Sequence, residues 1–165
     1  IENSNGSDVL YGGAGNDTII ISGSPGNTLI GGPGNDSMRG NSWDDTFIFN
    51  LGDGNDTIEA RGGNDTIEFD SSVDKDDIAI FIDKQNNLFI DYGQENDTDR
   101  IKAVGNSVEN VIIGDYTLTN NAINQLIQDM SAYATEQGMS ITSVDDVKNN
   151  EDLMTMVNSA WTGAA

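Results

Sequence analysis

The sequence predicts a mainly-β chain: a parallel β-roll built of nine-residue repeats, capped by a β flank and followed by C-terminal α-helices. Three observations predict it. An Asn-Asp-Thr-Ile core recurs in register with glycines through residues 1 to 68. Strand-like apolar runs replace the glycines over 69 to 118. From Thr119 onward the apolar period turns helical, so 119 to 165 reads as a third unit.

The first stretch holds 14 of the 19 glycines and 9 asparagines. Its core stands at Asn16 to Ile19, Asn55 to Ile58 and Asn64 to Ile67, with variants at Asn35 to Met38 and Asp44 to Phe47. Aspartates at 8, 17, 36, 45, 56 and 65 are spaced by 9, 19, 9, 11 and 9 residues, and Asn27 fills the long gap. The unit is therefore nine residues, with one extra residue before Asn27 and two before Asp56. An apolar residue follows two after each of these positions: Leu10, Ile19, Leu29, Met38, Phe47, Ile58 and Ile67, which makes seven repeats.

In the second stretch, Ile78 to Ile82 and Leu88 to Tyr92 flank a polar turn and read as a β-hairpin, with further strands at Ile101 to Val104 and Val111 to Ile113. In the third, Ile123, Leu126, Ile127, Met130, Tyr133 and Ala134 share one helical face, with Asn120 or Asn121 as N-cap and Gly138 as the stop. A second helix starts near Ser143, whose pairing with Asp146 is an imperfect capping box, and a third near Asn150 carries Leu153, Val157, Ala160 and Trp161. Thr162 to Ala165 are expected to fray.

Composition narrows the chemistry. Seven Lys plus Arg against 28 Asp plus Glu give a net charge of −21, which disfavours nucleic acid and anionic membranes and favours cations. With no Cys and no His, zinc sites of the usual kind, haem, cysteine nucleophiles and Ser-His-Asp chemistry are excluded. The apolar runs are too short to span a membrane. Hydrophobic residues make up 36%, so the folded state needs help beyond apolar burial. The chain opens with Ile inside a repetitive pattern and reads as a monomeric fragment of a larger protein.

Within a unit such as Gly12 to Ile20, the glycines let several backbone carbonyls turn toward one point, and the following Asp adds a carboxylate there. One loop and one short strand make half a turn of a flattened helix, so two units complete a turn, and loops i and i+2 stack. A cation between stacked loops collects carbonyls from both together with an Asp oxygen, the six to eight hard oxygen ligands that Ca2+ accepts at about 2.3 to 2.6 Å. Mg2+ demands a tighter octahedron and fits worse. The candidate ligands are the carboxylates of Asp8, Asp17, Asp36, Asp45, Asp56 and Asp65, the side chain of Asn27, and the loop positions Gly6, Gly12, Ala14, Gly15, Gly31, Pro33, Gly34, Gly40, Ser42, Asp53, Gly54, Gly62 and Gly63.

Two per turn, the units fall into a stack of Asp8, Asn27, Asp45 and Asp65 and a stack of Asp17, Asp36 and Asp56. The gaps between Asp17 and Asp36, Asp36 and Asp56, and Asp45 and Asp65 keep an acid on both sides. The two gaps that involve Asn27 lose a charge, so roughly three to five ions are expected, three of them well held.

The pattern G-G-x-G-x-D-x-U-x identifies residues 1 to 68 as resembling the RTX, or haemolysin-type, calcium-binding repeat. Trp43 to Phe49 followed by Gly52 to Ile58 resembles the final turns of RTX proteins exported by type I secretion. Val108 to Asp115 is similar to that family's flanking β segment, and Asn121 to Met130 to its C-terminal helix. The resemblance implies an uncleaved export signal at the C-terminus, a transient type I exporter partner, and a secreted or cell-surface location. Departures are Asn27 for the usual Asp, Trp43 for a loop Gly, and Leu51 and Ala60 for first-position glycines.

The expected function is that of a non-catalytic calcium-binding module of a larger secreted toxin, adhesin or exoenzyme, which folds on calcium after export. The alternative is a calcium-dependent adhesin or polysaccharide-binding module, for which Tyr92, Tyr116 and Trp43 are the candidate aromatics. The aspartates also admit a metal-free reading, as an Asn/Asp/Gly turn repeat in a β-solenoid. The sequons at Asn16, Asn35, Asn55, Asn64 and Asn96 read as by-products of the repeat. Asp76-Asp77 and Asp145-Asp146 read as solvated turns and helix starts.

Overall fold

The computed structural model describes residues 2–3, 6–23, 25–94 and 99–163. Asn96 and the last two residues lie outside them. Each repeat delivers one short strand: β2 (Val9–Tyr11), β3 (Thr18–Ile21), β4 (Thr28–Ile30), β5 (Ser37–Arg39), β6 (Thr46–Phe49), β7 (Asn55–Glu59) and β8 (Thr66–Phe69), preceded by β1 (Glu2–Asn3). Alternate strands pair in parallel. Leu10, Leu29, Phe47 and Ile67 align across β2, β4, β6 and β8, and Ile19, Met38 and Ile58 across β3, β5 and β7. This is the register that two units per turn dictate, and all seven apolar residues are buried between the two sheets.

The hairpin and the two further strands form as expected, as β9 (Ala79–Ile82), β10 (Leu88–Asp91), β11 (Arg100–Ala103) and β12 (Asn110–Ile113). β11 pairs in parallel with β7, and β12 with β8, so the flank lays one more turn onto the roll. Only then does pairing become antiparallel, through β10 and β9 on one sheet and β13 (Tyr116–Thr119) on the other. Thr162 and Gly163 are not frayed. They form β14 against Thr117 and Tyr116, and the Thr162 hydroxyl donates to Thr117 O at 2.9 Å.

Helix α1 (Asn120–Gln137) buries Ile123, Leu126, Met130 and Ala134 and ends at Gly138, whose φ of +67° suits glycine. Its N-cap is Thr119, whose hydroxyl accepts from Ala122 N–H, and not Asn120 or Asn121. Asn120 is engaged elsewhere, donating to Val108 O at 2.9 Å. The Ser143–Asp146 capping box at the start of α2 (Val144–Lys148) is complete. Helix α3 (Glu151–Ala160) starts at Asn150, and Trp161 falls at its C-cap. The buried side chains of roll, flank and helices form one continuous core. An ion network fastens α2 to the hairpin. Buried Asp91 accepts from Arg100 at 2.8 Å and from Lys148, while Arg100 also reaches Asp145 at 2.7 Å.

Candidate metal centre

The parallel register places the loops directly over one another, and their backbones nest. Gly12, Gly13 and Gly15 N–H donate to Ile30, Gly31 and Pro33 carbonyls one turn on, at 2.8 to 3.0 Å. Approach this close excludes side chains: a Cβ on Gly34 would sit 2.0 Å from Gly15 O, and one on Gly31 2.2 Å from Asp36 Oδ2. The Gly31 position is therefore a cradle shaped around a carboxylate oxygen.

The acids form two side-chain ladders along the roll. Asp17 N–H donates to Asp36 Oδ1 at 2.7 Å, and Asp36 N–H to Asp56 Oδ1 at 2.7 Å. In the other stack Asp8 N–H reaches Asn27 Oδ1, Asn27 N–H reaches Asp45 Oδ1, both at 3.2 Å, and Asp45 N–H reaches Asp65 Oδ1 at 2.8 Å. Each acceptor thus leans toward the turn before it. At Asp36, Asp56 and Asp65 one oxygen of the pair is spent on that N–H and the other is left over. Among the described residues, Asp36 Oδ2, Asp56 Oδ2 and Asp65 Oδ2 are buried with no hydrogen-bond partner.

A buried carboxylate oxygen without a partner is costly. Burial, followed by repulsion from Asp17, raises the Asp36 carboxyl above its ordinary value. Burial pushes Asp56 up to about 7, with Asp36, Asp53 and Asp99 adding repulsion. Asp65 likewise rises to about 7, through burial and then the charges of Asp45, Glu109 and Asp44. These carboxyls are poised for a positive charge that the protein does not itself supply. Arg39 and Arg61 both pair with exposed Glu59, away from the stacks.

The predicted positions are not equivalent. Asp45 is already engaged by Asn27 Nδ2 at 3.1 Å and by Asn41 N–H at 2.9 Å, so the amide of Asn27 fills by hydrogen bonding the gap where the other stack pairs two acids. Asp53 turns its carboxylate onto Asn50 N–H and Nδ2, closing the two-residue insertion as a tight turn, and presents its carbonyl to Gly34 N–H at 2.9 Å. Tyr92 is fully buried against Phe49 and Phe69, which removes it from any surface aromatic platform. Tyr116 and Trp43 are exposed.

Two acids absent from the candidate set lie at the far end of the stacks, Glu109 ending one ladder and Asp99 clamping the last loop of the other. Glu109 Oε2 accepts Asp65 N–H at 2.8 Å, and Asp99 accepts Gly52 N–H at 2.6 Å and Gly54 N–H at 2.9 Å. Glu109 precedes Val111 by two, the spacing that marks the repeats, and Val111 pairs with Ile67; Asp99 falls two residues earlier in the register, since Ile101 pairs with Asp56. Beyond Glu109, the neighbouring loop carbonyls are already met by protein donors: Val104 O by Ser107, Gly105 O by Asn86 and Val108 O by Asn120. Among the described residues no three acidic side chains converge into a cage. A hard cation would therefore be held by carboxylates from two turns together with backbone carbonyls.

A family model, the RTX calcium-binding nonapeptide repeat, matches residues 3–20, 22–53 and 48–74. This stretch is an RTX repeat region. Its repeats are a calcium-binding module, and they fit the geometry: orphaned carboxylate oxygens, a glycine cradle and stacked carbonyl-rich loops. No curated protein matches the chain. Among the described residues no helix is long and apolar enough to cross a membrane.

Proposed function

We propose that the RTX region is a calcium-driven folding device belonging to a larger secreted protein, with residues 1–68 as the metal-binding roll, 69–118 as its cap and 119–165 as the segment read by a type I exporter. The observation that carries this reading is the set of buried, partnerless oxygens on Asp36, Asp56 and Asp65. They fall in the three gaps that keep an acid on both sides. Metal-free, residues 1–68 carry 11 acids against Arg39 and Arg61 and bury their acids at a cost, so the roll is disfavoured and the chain can be threaded through an exporter. Calcium, when bound, supplies the missing positive charge between stacked acids, and its binding free energy becomes folding free energy.

The chain's own residues do the rest. Backbone carbonyls of the glycine loops supply neutral ligands, the ladder N–H groups fix one oxygen each of Asp36, Asp56 and Asp65, and the other oxygen is left for the ion. Asn27 limits the well-held sites to three by replacing charge with an amide bridge.

The test is far-UV circular dichroism and calorimetry during calcium titration. The expected result is a gain of β structure with a midpoint on the order of 10⁻⁴ to 10⁻³ M and little response to magnesium. A β-rich spectrum untouched by strong chelation, in protein shown to be free of metal, refutes the reading. The export role is tested separately, by secretion of a fusion with and without residues 119–165 in a strain that carries a matched exporter. Equal secretion refutes it.

A further inference from the structure

We infer that Asp99 is a positioning residue that turns the Leu51 carbonyl into the gap between Asp36 and Asp56; this rests on the calcium reading above. Asp99 lies more than 40 residues beyond the loop it serves and outside the matched repeats. It is 2% exposed, and both of its oxygens are occupied, Oδ2 by Gly52 N–H and Oδ1 by Gly54 N–H. It therefore has no oxygen left over in the manner of Asp56, and its role toward the ion is indirect.

The direction of its effect follows from peptide geometry. Every peptide among the described residues is trans, so the N–H of one residue and the carbonyl of the residue before it point opposite ways. At the second peptide that Asp99 holds, both ends are visible. Gly54 N–H points to Asp99, while Asp53 O points back to the preceding turn and accepts Gly34 N–H at 2.9 Å. The Leu51–Gly52 peptide is held by the same carboxylate through Gly52 N–H, so Leu51 O is directed to the same side, toward the turn that carries Asp36. That is the gap holding the partnerless Asp56 Oδ2. Leu51 stands where the repeat has a glycine, and its loop carries a two-residue insertion, so this is the loop most in need of an external clamp.

Asp99 is itself anchored. Its carbonyl accepts Tyr92 N–H at 3.0 Å, and the next residue, Arg100, donates its N–H to Gly54 O at 2.8 Å while its guanidinium is fixed on Asp91 and Asp145. The clamp is thus built into β11 and backed by the helical region.

The test is a calorimetric calcium titration of the whole chain, wild type against Asp99→Asn, with circular dichroism at saturating calcium to establish folding. Asparagine offers one acceptor and sets an NH2 group against the other glycine N–H. One site should weaken about tenfold or more, consistent with losing a charge-assisted hydrogen bond, while the others keep their affinity. The calcium-dependent rise in melting temperature should also shrink. A wild-type isotherm overturns the inference, as does equal weakening of every site. If Asp99→Asn does not fold, Asp99→Glu, which keeps both oxygens on a longer arm, is judged by the same criterion. A wild-type chain that binds no calcium would overturn the calcium reading itself, a result separate from any change seen only in the variants.

Discussion

Asp56→Asn should act in opposite directions on the metal-free and calcium-loaded protein. The substitution keeps an oxygen for the Asp36 N–H, which sits 2.7 Å from Asp56 Oδ1, and removes the charge. In the metal-free fold the carboxyl is pushed from 3.8 to about 7. At pH 8 that burial costs about 4 kcal/mol, taking about 1.4 kcal/mol per unit. The new amide nitrogen replaces an oxygen that has no partner, and leaving it unpaired costs about 1–3 kcal/mol. The metal-free roll should therefore gain roughly 1–3 kcal/mol. With calcium, the variant loses a charged ligand and binds less tightly at one site. The assay is circular dichroism against trimethylamine N-oxide in chelator, since this osmolyte favours burial and reports on a roll that is unfolded without it. The midpoint should move to lower osmolyte, and a parallel calcium titration should show weaker binding. A metal-free variant no more stable than wild type refutes the assignment of a buried, strained charge at Asp56.

Asp36→Ala should damage calcium binding more than any other single acid substitution, because Asp36 faces a gap on each side, whereas Asp8→Ala should be mild because its stacked neighbour is Asn27; calcium titration of the pair decides, and an equal or larger loss for Asp8 sinks the ranking. In chelator, the folded roll should be most stable near pH 4 and lose stability as pH rises through about 7, since folded Asp56 and Asp65 retain protons that the unfolded chain releases near 3.8. Calcium affinity should run the other way, weaker at pH 6 than at pH 8, which calorimetry at the two values would check. Lys148→Ala leaves buried Asp91 with Arg100 alone and should cost about 1–3 kcal/mol in urea denaturation at saturating calcium. An unchanged urea midpoint would show that α2 is held by packing alone.

The repeats were legible because their constraints are local. Glycine, acid and apolar residue recur at fixed separations, so the inward row from Leu10 to Ile67 and the pairing of alternate strands follow from counting alone. The insertions before Asn27 and Asp56 were visible as arithmetic, but their absorption was not. Nothing in the spacing says that Asp53 would spend its carboxylate on Asn50. The outlying acids were hidden for another reason: Asp99 meets Gly52 only because β11 returns in parallel beside β7 after an antiparallel hairpin, a matter of topology. Tyr92 counted as a candidate platform aromatic by residue type alone, yet alternation puts it on the face of Leu88 and Ile90, and the aromatic cluster with Phe49 and Phe69 claims it. Thr162 looked terminal, and became ordered by pairing with a strand more than 40 residues earlier.

The acid ladders have a direction, like the two unlike ends of a cytoskeletal filament. Every rung passes an N–H toward the C-terminus and receives it on a carboxyl or amide oxygen, until Glu109 accepts the last one of its stack from outside the repeating lattice, while Asp99 seals the other stack's final loop through Gly52 and Gly54 N–H. Such a lattice is invariant to translation by a whole turn but not to a change at its sealed end. Copying an 18-residue turn, two units of about nine, into the middle of the roll would lengthen it while leaving both seals in contact with the same final loops. Adding that turn after Phe69 would place new N–H groups where Glu109 and Asp99 already stand. Length can vary freely at one end of this architecture, and the other end is where the count stops.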